Sequence, residues 1–317
     1  MALYLTEDDV KQLLSMAQAI EAVEAVHREH ALGLAIDTPR QRTRLPQTVM
    51  HLLQGAVPSL GILGYKVYTT NRQGTRFLVH TYDAASGRLS AVIEADFLGM
   101  VRTGAAGGVA AKHLARANAR VVGVFGAGWQ ARGQVEALSL VRKIERFKVF
   151  SRNADKLRTF CREMSARLRR DVVPAGSARE VVEGSDIVVT ITSSSVPLFD
   201  GEWLVPGTHI NAAGANALIR RELDEAAVKR CDVVCVDSRP VALKECGDLL
   251  PLLEKGRLHE GQVVELGEVI GDMRPGRRSV EEITLFESHG MAIQDLALAQ
   301  RLLAAAQAHG LGKPLTY

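Results

Sequence analysis

The sequence predicts a two-domain α/β protein: a region of antiparallel strands, then a doubly wound parallel sheet of the Rossmann type. Three observations predict it. A chain of 317 residues is better served by two cores of ordinary size than by one. Between residues 40 and 94, strand patterns are separated by hairpin signals. Over residues 119–238, strands and helices alternate, and the strands are β-branched runs without polar alternation. Such runs mark parallel strands buried on both faces.

The elements follow in order. Thr6 with Asp9, and Ser15 with Gln18, each mark a helix start of the capping-box kind. Ala19, Ile20, Val23, Val26 and His30 then recur at helical spacing as far as Gly33. Residues 64–69, 77–82 and 89–93 read as strands, with turns at 71–74 and 83–87. The glycine-rich run Arg102 to Gly108 then leads into a helix of small residues that extends to about Ala117. Its glycines and alanines permit close backbone packing and leave its N-terminus open to an anion. Strands are expected at 120–125, 147–151, 172–173, 187–191, 209–213 and 233–236, with helices at 130–141 and 154–168. Residues 291–308 form a long apolar helix, which is expected to pack at an interface or back on the first domain.

Composition narrows the function. Hydrophobic residues are 47% and charged residues 24% of the chain, the profile of a soluble globular protein. The net charge is +3, from 39 basic and 36 acidic residues, which gives no reason to invoke nucleic acid or an anionic membrane. No signal peptide is read at the N-terminus, and no apolar stretch approaches the ~18 residues of a membrane helix. Cys161, Cys231, Cys235 and Cys246 make no disulfide framework, so a reducing cytoplasm is the expected location. Cys231 and Cys235 read as core thiols. His27 and His30 are three apart on a helix with no third ligand placed to join them, so no metal is expected.

The strongest local signal is the GxGxxA pattern Gly126-Ala127-Gly128-Trp129-Gln130-Ala131, set between a strand and a helix. The first glycine makes the tight turn, the second lets backbone approach a pyrophosphate, and Ala131 permits close helix–strand packing. Where NAD enzymes place an acid for the ribose 2′-OH, the next strand ends in Ser151-Arg152-Asn153. A carboxylate there would repel a 2′-phosphate, whereas Arg152 can pair with it, so the expected coenzyme is NADP(H). Ser193, Ser194 and Ser195 follow a strand and are placed to line the same cleft. They lack the GxSxG context of a hydrolase nucleophile.

Asp237 ends a strand at the carboxyl edge of the sheet, where ligands bind in such folds; Asp also ends strands for turn reasons. Lys66 lies inside a strand among aromatic and apolar residues, Arg102 stands before a glycine-rich run, and Arg40, Arg42 and Arg44 are close together. Converging cations of this kind suit a carboxylate substrate, although each alone reads as a surface charge. His209 and His289 read as structural.

Together, Lys66 in GYKVYT, Arg102 in VRTGAA, the Gly126–Ala131 fingerprint, Gly214 in HINAAGAN, Asp237 in VDSRPVALKECGD and the stretch ELGEVI resemble the ornithine cyclodeaminase/μ-crystallin family. The resemblance runs from about Arg42 to Ala292. It implies a homodimer in which a Rossmann domain (117–288) is inserted in an α+β substrate and dimerisation domain (1–116 with 289–317). It also implies site residues. Arg42, with Arg40 and Arg44 as alternatives, would hold the substrate carboxylate together with Lys66 and Arg102. Asp237 would be the acid/base group, and Lys66 joins it in the catalytic set. Thr103, Gly126, Ala127, Gly128, Gln130, Ser151, Arg152, Asn153, Thr192 and Ser288 would touch the coenzyme. Two departures bear on the activity. The acid that cyclodeaminases carry at the ribose is replaced by Ser151-Arg152. Their Glu before a Met-Pro pair is also absent, since the chain reads Met50-His51-Leu52-Leu53-Gln54. Both favour NADPH-dependent reduction of a cyclic 2-imino acid, Δ1-pyrroline-2-carboxylate or Δ1-piperideine-2-carboxylate, to L-proline or L-pipecolate. The alternatives are a cyclodeaminase or alanine-type dehydrogenase, and a crystallin-like NADPH-binding protein without turnover.

Overall fold

Strand β1 (Ala2–Leu5) leads into two helices that start where the sequence marks them. At α1 (Glu7–Leu13) the Thr6 side chain accepts from the Asp9 N–H, and the Asp9 carboxylate accepts from the Thr6 N–H at 2.9 Å. Ser15 and Gln18 exchange the same pair of bonds at α2 (Met16–Ala31). The computed structural model describes residues 2–316. They fall into two units, Met1–Arg102 with Gly290–Tyr317, and Thr103–His289.

The first unit continues through an antiparallel meander: β2 (Ile36–Arg44), β3 (Val49–Val57), β4 (Ile62–Asn71), β5 (Gly74–Asp83) and β6 (Leu89–Glu94). The sequence placed the last three and left β2 and β3 unresolved within a general strand region. Helix α3 (Asp96–Leu114) comes next. It begins well before the glycine-rich run after Arg102 where its start was expected, so Thr103 to Gly108 are helix interior and their N–H groups offer no anion site. What caps its start is not local: the Glu7 carboxylate accepts from the Asp96 and Phe97 N–H groups at 2.6 and 3.1 Å. It neutralises orphan donors that a local reading does not connect to Glu7. The small residues of α3 serve packing instead. A Cβ on Gly104 would lie 2.3 Å from the Gly133 carbonyl oxygen.

The second unit holds eight strands, all parallel: β7 (Val121–Phe125), β8 (Arg146–Phe150), β9 (Asp171–Pro174), β10 (Ile187–Thr190), β11 (His209–Ala212), β12 (Val233–Val236), β13 (Val263–Glu265) and β14 (Thr284–Glu287). Their order is β13-β12-β14-β11-β10-β7-β8-β9. The helices of this unit are α4 (Trp129–Val141), α5 (Ala154–Leu168), α6 (Ala178–Val182), α7 (Glu225–Lys229), α8 (Arg239–Glu245), α9 (Leu250–Glu254) and α10 (Leu266–Ile270). The unbroken apolar strands are explained by two cores. Val188 and Ile210 enter one, while Ile187, Val189, Val122 and Val124 enter the other. β13 and β14 lie beyond the segment read as alternating, because residues 266–283 contain only one short helix between strands.

The sequence boundary at 116/117 differs from the structural one at 102/103. Ala111 and Ala115 of α3 pack in the same core as Val122 and Ala131, which assigns the second half of the helix to the parallel-sheet unit. The chain then returns to the first unit with α11 (Ala292–His309) and β15 (Lys313–Leu315). The mixed sheet there has the order β15-β1-β6-β5-β4-β3-β2. Helix α11 lies on one face of this sheet: a Cβ on Gly64 would meet Leu296, and one on Gly55 would meet Ile293.

Candidate active site and coenzyme cleft

β7 ends at Gly126, whose φ of +115° is a conformation open to glycine. Any Cβ there would sit 2.6 Å from the Ile191 carbonyl oxygen. Gly128 precedes α4, a helix of 13 residues, and nothing stands within 4 Å of where its Cβ would be. The turn is therefore tight at its first glycine and open at its second. Helix N–H groups face that space, the arrangement that receives a phosphate.

A cleft of about 810 Å³ opens along this edge. It brings together Gly126, Ala127, Gly128, Gln130, Ser151, Arg152, Asn153 and Thr192, eight of the ten residues expected at the coenzyme. Thr103 and Ser288 do not line it. The Thr103 carbonyl accepts from the Gln134 side chain at 3.0 Å, and Ser288 turns its hydroxyl to Asp237. Three cations line the cleft, Arg152, Lys156 and Arg220, and no Asp or Glu does so among the described residues. Lys156 and Arg220 were not singled out in the sequence. Lys156 follows Arg152 by four, in the first turn of the helix that starts just after it, and that spacing was the available signal. Asn153 caps α5, its Oδ1 accepting from the Lys156 N–H at 2.9 Å. Gln130 Oε1 is buried without a hydrogen-bond partner in the protein.

Behind the cleft, Glu222 accepts from the Thr192 N–H and hydroxyl, both at 2.6 Å, and from the Gly214 N–H at 2.9 Å. It thereby fixes two of the loops at the carboxyl edge. Burial pushes its carboxyl up to about 7, against the lowering effect of those donors.

Asp237 stands one residue past β12 and is fully buried. Its Oδ2 accepts from the His289 N–H at 2.7 Å and its Oδ1 from the Ser238 N–H at 2.9 Å, with His289 Nδ1 at 3.4 Å. These bonds fix the carboxyl in one orientation. The expected turn role and the expected chemical role are compatible here, because the turn bonds take up backbone donors.

In the first unit, Lys66 is buried at the middle of β4. Its Nζ donates to Asp295 Oδ1 at 3.0 Å, and Arg102 Nε donates to the same oxygen at 3.3 Å. The Lys66 ammonium also sits 5.3 Å from the Phe77 ring centre. Arg102 Nη1 reaches Gln294 Oε1 at 3.4 Å, and the Gln294 amide nitrogen reaches His27 Nε2 at 2.9 Å. Burial, with the charges of Arg102 and Arg40 beside it, pushes the Lys66 ammonium down to about 8, against the pull of Asp295. Two cations thus share one carboxylate oxygen in a desolvated place, which leaves surplus positive charge for an incoming carboxylate. Cross-strand pairing puts Arg42, His51 and Tyr68 in one row. Arg40 falls at the bulge beside Leu53 and Lys66 and is buried, while Arg42 is half-buried and Arg44 exposed. The sequence reading missed Asp295 and Gln294. A polar pair in the first turn of a helix, set just before an apolar run, was the signal.

The fold and the cleft together define an NAD(P)-dependent oxidoreductase of the Rossmann type. The particular family follows from comparison: residues 2–309 match the model of the ornithine cyclodeaminase/mu-crystallin family, and the chain belongs to it. It is 32% identical to a Delta(1)-pyrroline-2-carboxylate reductase of Bacillus cereus, over 99% of this chain and 100% of the relative. The structure of the Thermococcus litoralis Delta(1)-pyrroline-2-carboxylate reductase, in complex with NADH and L-proline, superposes with a TM-score of 0.95 at 33% identity, covering 99% of this chain and 100% of that one. An archaeal alanine dehydrogenase dimer with bound NAD superposes with a TM-score of 0.94 at 32% identity, over 100% and 99% of the two chains. No helix among the described residues is long and apolar enough to cross a membrane.

Proposed function

We propose that the protein reduces a cyclic 2-imino acid, Δ1-pyrroline-2-carboxylate or Δ1-piperideine-2-carboxylate, with NADPH as the preferred donor. The observation that carries this reading is the pairing of a cation-lined, acid-free coenzyme cleft with the buried Lys66–Arg102 cluster. Similarity to the pyrroline-2-carboxylate reductases over nearly the whole chain supports the substrate class.

In this reading Lys66 and Arg102, joined by an arginine of β2, hold the substrate carboxylate and so orient the ring. Arg42 keeps the place that its motif implies. Arg40 adds the buried charge beside Lys66. The coenzyme, when bound, supplies the hydride that reaches C2 of the imine. Asp237 holds the proton at the ring nitrogen, and the C=N bond becomes CH–NH. An iminium is the better hydride acceptor, and a carboxylate stabilises it by charge. The test is oxidation of NADPH, followed by the absorbance of reduced nicotinamide, with each imine in turn and NADH as the control. Oxidation with neither imine would reject the assignment. Ammonia release from ornithine would replace it with a cyclodeaminase, and consumption of pyruvate with ammonia by an alanine-type dehydrogenase.

For the coenzyme, the proposal gives the 2′-phosphate to Arg152 and Lys156 at the start of α5. Arg152→Ala is expected to raise the KM for NADPH roughly 10- to 100-fold, the loss of about 1.5–3 kcal/mol of charge-assisted hydrogen bonding. The KM for NADH should stay nearly constant. Equal effects on both coenzymes would remove Arg152 from this role.

For assembly, we propose a homodimer formed through the sheet face opposite α11. Leu63, Tyr65 and Val67 of β4 alternate outward and remain partly exposed, and Tyr65 stacks on His80 at 4.7 Å. An apolar face of this kind is costly to leave in water. Val67→Asp is expected to convert dimer to monomer in sedimentation equilibrium. An unchanged dimer would place the interface elsewhere.

A further inference from the structure

A second cluster in the parallel-sheet unit shares only His289, a partner of Asp237, with the reading above. Cys246 ends α8, Glu287 is the last residue of β14, and His289 follows two residues later. Their ligating atoms lie within 4.8 Å of one another, and all three residues are buried. None of them lines the coenzyme cleft. Glu287 is 1% exposed, and its Oε1 has no hydrogen-bond partner in the protein. Asp248, Glu222 and Asp237 add further carboxyls around it. Asp248 Oδ2 is also buried without a partner. Burial pushes the Glu287 carboxyl well up, and the neighbouring carboxyls push it further, while Arg221 and His289 act on Asp248 only weakly against its burial.

Acids gathered in a dry interior are costly, and the cost falls if they take up protons or a cation. The donor set favours the second outcome. Carboxylates alone would suit a hard ion among water molecules, whereas a thiol and an imidazole beside a carboxylate are the donors that zinc selects. A tetrahedral ion with bonds of roughly 2.0–2.3 Å draws its ligands to roughly 3.3–3.8 Å apart. The present spread is close enough to reach that by side-chain rotation.

We propose that Cys246, Glu287 and His289 form a binding site for a divalent cation of the zinc class, its fourth position taken by water or Asp248. Binding would displace the Cys246 thiol proton to solvent, since the ligand is the thiolate. His289 Nδ1 faces Asp237 at 3.4 Å, so the ion takes Nε2. The resulting order, carboxylate to imidazole to metal, is the common outer-shell arrangement at such ions. The bound ion would then tie α8 to the end of β14 and hold His289 against Asp237. The sequence reading weighed only His27 with His30 and Cys231 with Cys235 and expected no metal; Cys246 is remote in the chain from Glu287 and His289, and the parallel pairing of β12 with β14 brings the segments that carry them together.

The test uses the full chain, stripped with chelator and titrated with Co²⁺. One equivalent is expected to bind, with a thiolate-to-cobalt charge-transfer band that Zn²⁺ abolishes by displacement. Cys246→Ala should lose the band. Glu287→Gln should keep it but weaken cobalt at least 10-fold. Zinc should raise the Tm of the native chain and leave that of Cys246→Ala unchanged. No cobalt binding by the native chain would overturn the site, as would binding without the charge-transfer band. A band that survives in folded Cys246→Ala would do the same. The native spectrum decides the matter even if a variant does not fold.

Discussion

Asp237→Asn is expected to lower kcat roughly 100- to 10,000-fold, the range that a positioned acid or base contributes. The substitution keeps shape and volume. The Asn oxygen can still accept one of the backbone N–H bonds now made by Asp237, from Ser238 at 2.9 Å and from His289 at 2.7 Å. The fold and coenzyme affinity should therefore change little, which thermal melting and NADPH fluorescence titration would check. What is lost, on the proposed function, is the negative charge facing a developing iminium. The KM for the imine should move less than kcat, because the carboxylate of the substrate is held elsewhere. If kcat survives, the proton comes from another group and Asp237 is only a turn residue. If NADPH affinity collapses along with kcat, its role is structural support of the sheet edge.

The coenzyme half of this molecule was legible in the sequence because its signals are local. A tight glycine turn, an open second glycine and a helix start lie within six residues, and the structure puts eight of the ten expected residues on one cleft. The strands of the parallel sheet were legible for the same reason: burial on both faces writes an unbroken apolar run. The misses come from long-range partners. Helix α3 starts at Asp96 because Glu7, far away in the chain, caps it. Thr103 and Ser288 stand outside the lining of the cleft, the Thr103 backbone carbonyl accepting from Gln134 and the Ser288 hydroxyl turned to Asp237. Asp295 was invisible as a partner of Lys66, since the two are 229 residues apart. A buried lysine in a strand announces that a counter-charge exists, but it does not say where.

That counter-charge sets the second large effect. The Lys66 ammonium, ordinarily near 10.5, lies at about 8 in the folded chain. Between those values the unfolded chain carries a proton that the folded chain lacks, so stability rises with pH across that interval and is flat below it. Activity should run the other way. On the proposed function only charged Lys66 holds the substrate carboxylate, so kcat/KM is expected to fall as pH rises through about 8. Lys66→Met should lower kcat/KM at neutral pH by roughly 30- to 1,000-fold, the equivalent of about 2–4 kcal/mol for truncating one partner of a buried charge pair. It should also abolish that alkaline fall. The imine's own titration is common to native and variant enzymes, so the difference between the two profiles isolates Lys66. Asp295→Asn gives the sharper test, because Asp295 is the group that raises the Lys66 ammonium. Removing its charge moves the fall to lower pH, with KM for the imine rising more than kcat declines. A profile that stays in place would mean that Asp295 serves packing alone. One that moves to higher pH would contradict the electrostatic account of the cluster, since no loss of a neighbouring negative charge can make an ammonium more basic.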